Sequence, residues 1–189
     1  MWDSEVQTIR DLIYFRLARI SCNTSSNISS SNSNKLTDDI YFKELFNEIR
    51  KSRNYCPVLT KEETEFNNVD VKCIYCGSAT DVSPGHIVPK TLKLLRKCGS
   101  CNKIRGRHNL VWVCSECNKS KGLKGLYEFY KTKYANVGNY IDFIPPLIEK
   151  KYLTTIFCCY QCMGTLDSYI KDNNNEIDFV LLDSILQLL

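Results

Sequence analysis

Eight of the eleven cysteines in this chain stand in four Cys-x-x-Cys pairs: Cys73/Cys76, Cys98/Cys101, Cys114/Cys117 and Cys159/Cys162. That spacing lets two sulfurs of one knuckle grip one tetrahedral ion, so zinc is the expected guest. A zinc held by Cys73, Cys76, Cys114 and Cys117 would staple both ends of a module too small to rely on its own core. Four buried thiols without a metal would be odd at this spacing. Cys98, Cys101, Cys159 and Cys162 would form a second zinc site if the fold brings them together, which nothing in the sequence fixes. A thioredoxin-like role for Cys98-Gly-Ser-Cys101 lacks the surrounding βαβ pattern. Cys22, Cys56 and Cys158 fall outside any pair.

So many thiols, behind an N-terminus with Asp3 and Glu5 and no long apolar run, fit a reducing intracellular compartment, cytoplasm or nucleus, better than secretion. No stretch approaches the roughly 18 uninterrupted apolar residues that a membrane span needs. Hydrophobic residues make up 43% of the 189, enough for a packed core.

Apolar spacing in residues 2–20, "WDSEVQTIRDLIYFRLARI", predicts an amphipathic helix. The Ser/Asn-rich run 21–36 reads as a flexible linker or disordered loop. Thr37 or Asp38 then caps a second helix, "DDIYFKELFNEIRKS". Residues 1–60 thus form an N-terminal helical region. Within 68–135, "VSPGHIV" and "NLVWV" predict strands, and "SECNKSKGLKGLYEFYKTKY" a helix weakened by Gly122 and Gly125. Residues 136–189 read as a helical or mixed cap that ends in a core-closing helix, "FVLLDSILQLL".

Charge is uneven. Between His86 and Tyr134 twelve lysines and arginines face two acids, Glu116 and Glu128, so this window is about +10 in a chain of net charge +4. A basic field of this kind favours nucleic acid, although a solvated lysine-rich helix face would look similar. Lys119, Lys121 and Lys124 on the helix, with Lys103, Arg105 and Arg107 before the second strand, are the candidate phosphate contacts.

In order, the chain carries Cys73-x-x-Cys76, His86-Ile87-Val88-Pro89, Asn109-Leu110 and Cys114-x-x-Cys117-Asn118-Lys119-x-Lys121-Gly122. This series resembles the HNH endonuclease family over about residues 71–131. The resemblance implies an α+β fold in which a zinc-stapled ββα-metal module, a β-hairpin packed on a helix, is flanked by N-terminal helices and a C-terminal cap. It implies metal-dependent endonucleolytic cleavage of DNA, with His86 as general base, Asn109 helping to orient it, and Asn118 holding Mg²⁺ or Mn²⁺. The imidazole and the carboxamide should then face each other across a shared cation. Such a site suits the chemistry, because a phosphodiester needs a base to activate water and a cation to absorb charge.

One departure stands at position 85, where the family usually supplies a second metal ligand and this chain has Gly85. Asp81 is the nearest upstream carboxylate. His86 could instead be a further zinc ligand or a buried strand-end residue. His108 reads as a phosphate contact, a surface residue, or the completion of a site begun by Cys98 and Cys101. Trp112 reads as core rather than as a base-stacking platform. Two rival functions follow: a zinc-stabilised nucleic-acid-binding module without catalysis, and a structural zinc adaptor.

Overall fold

The computed structural model describes residues 5–26, 35–52, 55–60, 63, 71–89, 106–170 and 178–186. The first helix, α1 (Ile9–Ser26), begins where a reciprocal cap satisfies its exposed donors. Asp11 N donates to Thr8 Oγ1 at 3.1 Å, and Thr8 N donates back to Asp11 Oδ2 at 3.0 Å. Helix α1 therefore starts later than the spacing of 2–20 suggests. It also runs through residues 21–26, which composition alone assigns to the linker; Cys22 is buried there. Helix α2 (Lys35–Lys51) likewise begins inside the expected linker. Phe15 meets Phe42 and Phe46 edge-on at 5.2 and 5.8 Å, and this aromatic seam joins α1 to α2.

Strands β1 (Val82–His86) and β2 (Leu110–Cys114) form a two-stranded antiparallel sheet, with Val82 opposite Cys114 and His86 opposite Leu110. A 3₁₀ turn, Arg107–Asn109, leads into β2. The predicted single helix after β2 is divided into α3 (Ser115–Lys121) and α4 (Leu126–Lys133). Gly122 takes φ +51°, a conformation that ends α3 and that glycine adopts at little cost. Helix α5 (Pro146–Cys162) starts with proline in its first turn and is buried from Ile148 to Tyr160 apart from Lys150, which is half-buried. The terminal run Phe179–Leu186 closes the core as expected, but as 3₁₀ rather than α-helix.

One contiguous core joins all of these elements, so the three regions expected from sequence share their interior. Two buried carboxylates organise it. Glu149 of α5 receives Arg16 of α1 through two bonds of 2.7 Å and the Tyr127 hydroxyl of α4 at 2.8 Å. Asp183 accepts from the Tyr152 hydroxyl at 2.5 Å and from Glu128 N at 2.7 Å. Gly125, which precedes α4, has no side chain to cap that helix, and Asp183 supplies the cap from the chain's far end. A Cβ at position 125 would stand 2.0 Å from Asp183 Cγ.

Gly125→Ala should therefore lower stability by about 1–3 kcal/mol in denaturant melts. Burial pushes the Asp183 carboxyl up to about 7 from its ordinary 3.8, against the opposing bonds from Tyr152 and Glu128 N. The native state holds this proton more tightly than the unfolded chain does. Its contribution is full below pH 4 and is lost as pH rises through about 7. Between pH 5 and 8 the wild type should lose melting temperature relative to Asp183→Asn, and parallel curves would refute this.

Candidate metal centre and hairpin site

The knuckle at 73–76 is a tight turn. Gly77 N donates to Cys73 O and Cys73 N to Ser78 O, both at 2.7 Å, with Gly77 at φ +76°. A bond from Ile74 N to Trp112 O at 3.0 Å fastens it beside β2. The second knuckle arises because β2 ends at Cys114, which is also the N-cap of α3: its Sγ accepts from Cys117 N at 3.4 Å. Ser115 N donates to Asp81 O at 3.2 Å and joins that helix start to the base of β1.

The sulfurs of Cys73, Cys76, Cys114 and Cys117 consequently lie within 4.8 Å of one another. Cys76 and Cys114 Sγ are 3.7 Å apart. A disulfide would need about 2.05 Å. Tetrahedral zinc with 2.3 Å bonds places its sulfurs about 3.8 Å apart, so this donor set fits one such ion. Burial opposes ionisation of Cys73, but backbone N–H bonds at Cys114 and Tyr75 outweigh it and lower the thiol to about 7. Burial and the neighbouring Cys76 and Cys114 push Cys117 up. Four thiols so close cannot all ionise together unless a cation offsets their charge. Helix α4 supports the centre from outside: Lys133 Nζ donates to Tyr75 O at 2.5 Å, and the Tyr75 ring lies 5.1 Å from Phe129.

Among the described residues, these four cysteines are the one group of three or more His, Cys, Asp or Glu placed to share an ion. Cys159 and Cys162 sit on α5, the first buried and the second exposed, on a helix rather than in a knuckle turn. Cys98 and Cys101 lie outside the described residues, as do Lys103 and Arg105.

At its other end the hairpin carries His86, half-buried as the last residue of β1. Asn109 is fully buried and clamps the chain just beyond it. Its Oδ1 accepts from Val88 N and its Nδ2 donates to Val88 O, both at 2.7 Å, while its carbonyl accepts from Ile87 N at 3.0 Å. Asn109 thus fixes the exit of β1, directly after His86. Asn118 is exposed on α3, with Oδ1 3.6 Å from where a Cβ at position 85 would stand. Gly85 and Asn118 therefore meet on the buried face of the hairpin. Strand alternation starts the His86 side chain from the opposite, half-exposed face, shared with Pro84, Leu110 and Trp112. Asn118, on α3, thus lies against position 85, and His86 is the next residue along β1.

Val113 accounts for the glycine. A Cβ at position 85 would lie 2.2 Å from Val113 Cγ1, so a side chain there is excluded while Val113 keeps its place. Asp81 stands just before β1, exposed at φ +51°, and its carbonyl accepts from Ser115 N at the cysteine end.

Of the candidate phosphate contacts, Arg107 and Lys119 are exposed, and Lys124 is half-buried with Nζ donating to Ser120 O at 2.8 Å. Lys121 requires correction. It is 2% exposed, its Nζ donates to Lys124 O at 3.1 Å, and burial lowers its ammonium to about 8 against the pull of Asp183. It faces the core because α3 turns that side inward, so it offers nothing to a phosphate. Sequence reasoning passed over Lys72 and Lys133, both exposed and close to the cysteines in the fold. Lys72 is adjacent to Cys73 in the chain, which was the available signal. Trp112 is half-buried rather than core, and His108 is half-buried in the 3₁₀ turn.

No family model, curated protein or solved structure matches the chain. No helix among the described residues is long and apolar enough to cross a membrane.

Metal analysis of purified protein should find zinc that Cys76→Ser and Cys117→Ser each remove. Zinc retained in both variants would refute the four-thiolate centre. Asn109→Ala leaves two buried backbone groups of Val88 unpaired and should cost about 1–3 kcal/mol, seen as a lower midpoint in denaturant.

Proposed function

We propose that this chain is a metal-dependent endonuclease that hydrolyses phosphodiester bonds in DNA, built as a zinc-stapled ββα-metal module. The observation that carries the reading is the meeting of Asn118 with position 85, one residue before His86, at the end of a hairpin clamped by Asn109. The base on β1 thus directly follows the position against which the oxygen donor of α3 lies. Arg107 and Lys119, exposed and close in sequence to Asn109 and Asn118, would hold a phosphate bound at that end.

His86 takes the proton of the attacking water, which an imidazole near neutral pH is suited to do. Asn118 offers one carboxamide oxygen to a divalent ion, Mg²⁺ or Mn²⁺, which when bound offsets charge on the phosphoryl and leaving oxygens. Asn109 acts through the backbone, holding the chain beyond His86 in register. The four cysteines, with zinc, stabilise the base of the hairpin and the start of α3 and take no part in the chemistry.

A second reading has one observation in its favour. Val113 fills the space in which a ligand at position 85 would stand, as expected of a module that binds nucleic acid without cutting it.

Supercoiled plasmid incubated with the zinc-loaded protein and Mg²⁺ or Mn²⁺ separates the two. The wild type should nick it, and His86→Ala should lose about 10²–10⁴ in rate while keeping its gel shift. Binding without nicking by the wild type selects the second reading, and neither activity selects an adaptor. Lys119→Ala should reduce the salt slope of binding by about one, whereas Lys121→Met should leave that slope unchanged.

A further inference from the structure

The four cysteines of the metal centre are not equally accessible. Cys73, Cys114 and Cys117 are buried, whereas Cys76, at the end of the 73–76 turn, is exposed. A small oxidant in solution therefore meets one sulfur of the four. The sulfur in contact with Cys76 is Cys114 Sγ, 3.7 Å away and 38 residues on. It belongs to the other knuckle. Cys114 ends β2 and caps α3, so it is anchored independently of the 73–76 turn. Closing that gap to a disulfide takes a shift of under about 2 Å.

We propose that Cys76 is an oxidation site, and that hydroperoxides convert the four-thiolate centre into a Cys76–Cys114 disulfide that releases zinc. The inference rests on the four-thiolate centre and not on the nuclease reading. The Cys76 thiolate attacks one peroxide oxygen and breaks the O–O bond, so a sulfenic acid forms and hydroxide leaves. The Cys114 thiolate then attacks the Cys76 sulfur, which forms the S–S bond and expels the sulfenic oxygen as a second hydroxide. Two protons from solvent turn both hydroxides into water. The two sulfurs thus lose two electrons, and one hydrogen peroxide becomes two waters. Cys73 and Cys117 remain, half the donors that tetrahedral zinc needs. Because the new bond crosses between knuckles, the 73–76 turn stays tied to the end of β2 after the ion has gone. A bond within either knuckle would leave the two apart.

Hydrogen peroxide added to the zinc-loaded full chain tests this. Released zinc is read with a chromogenic chelator, and disulfides are mapped by tandem mass spectrometry after free thiols are blocked. Zinc should leave in step with formation of the Cys76–Cys114 bond, and reductant with added zinc should reverse both. The oxidised chain should melt at least about 5 °C above reduced chain stripped of zinc, because the bond closes a long loop. Cys76→His keeps three cysteines and one histidine for zinc but cannot form the bond. It should need at least about tenfold more peroxide to release the ion. If Cys76→His holds no zinc, the disulfide map of the wild type decides alone. Bonds confined within the knuckles, or release at equal peroxide from the zinc-loaded variant, would overturn the inference. So would zinc retained on four reduced thiols while excess peroxide oxidises other cysteines. Purified wild type without zinc removes the centre and this inference together, whatever plasmid nicking shows.

Discussion

The convergence of four thiols is the constraint on which the central part of the molecule depends. Two short strands and a seven-residue helix have little independent stability. The cysteine cluster joins the turn at 73–76 to the end of β2 and the first turn of α3. An ion shared by the four sulfurs would keep the turn at 73–76 from separating from the end of β2. Helix α4 adds a second hold on the same knuckle through Lys133 and the Phe129 and Tyr75 rings.

The remaining elements brace this centre through buried charge. Arg16 and Tyr127 converge on Glu149, and Tyr152 with the start of α4 converges on Asp183. Removing Arg16 leaves the Glu149 carboxylate as an uncompensated buried charge, a larger loss than the pair's net contribution. These contacts span over a hundred residues in the case of Arg16 and Glu149. The helical regions on either side of the hairpin are therefore not separable caps. They pack on α4, which in turn holds the cysteine turn at 73–76.

Gly85 shows how packing and chemistry compete at one position. Its vacancy is filled by a neighbouring valine, so the hairpin's buried face gains apolar contact where a ligand could otherwise stand.

The knuckles, the two strands and the Cys73/Cys76/Cys114/Cys117 set were legible because spacing in the chain maps directly onto spacing in a turn. The glycine break between α3 and α4 was legible for a similar local reason. The cap that Thr8 and Asp11 form and the helical state of residues 21–26 were not, because Ser/Asn composition says nothing of a helix stabilised by burial of Cys22. Lys121 looked like its neighbours Lys119 and Lys124; only the packing of α3 decided that it turns inward. Sequence alone determined which residues could grip a metal, since ligand chemistry is carried by residue type and local separation. Tertiary structure alone decided that Val113 closes position 85, that Asp183 caps a distant helix, and that Asn118 of α3 lies against position 85. These depend on atoms brought together from remote parts of the chain.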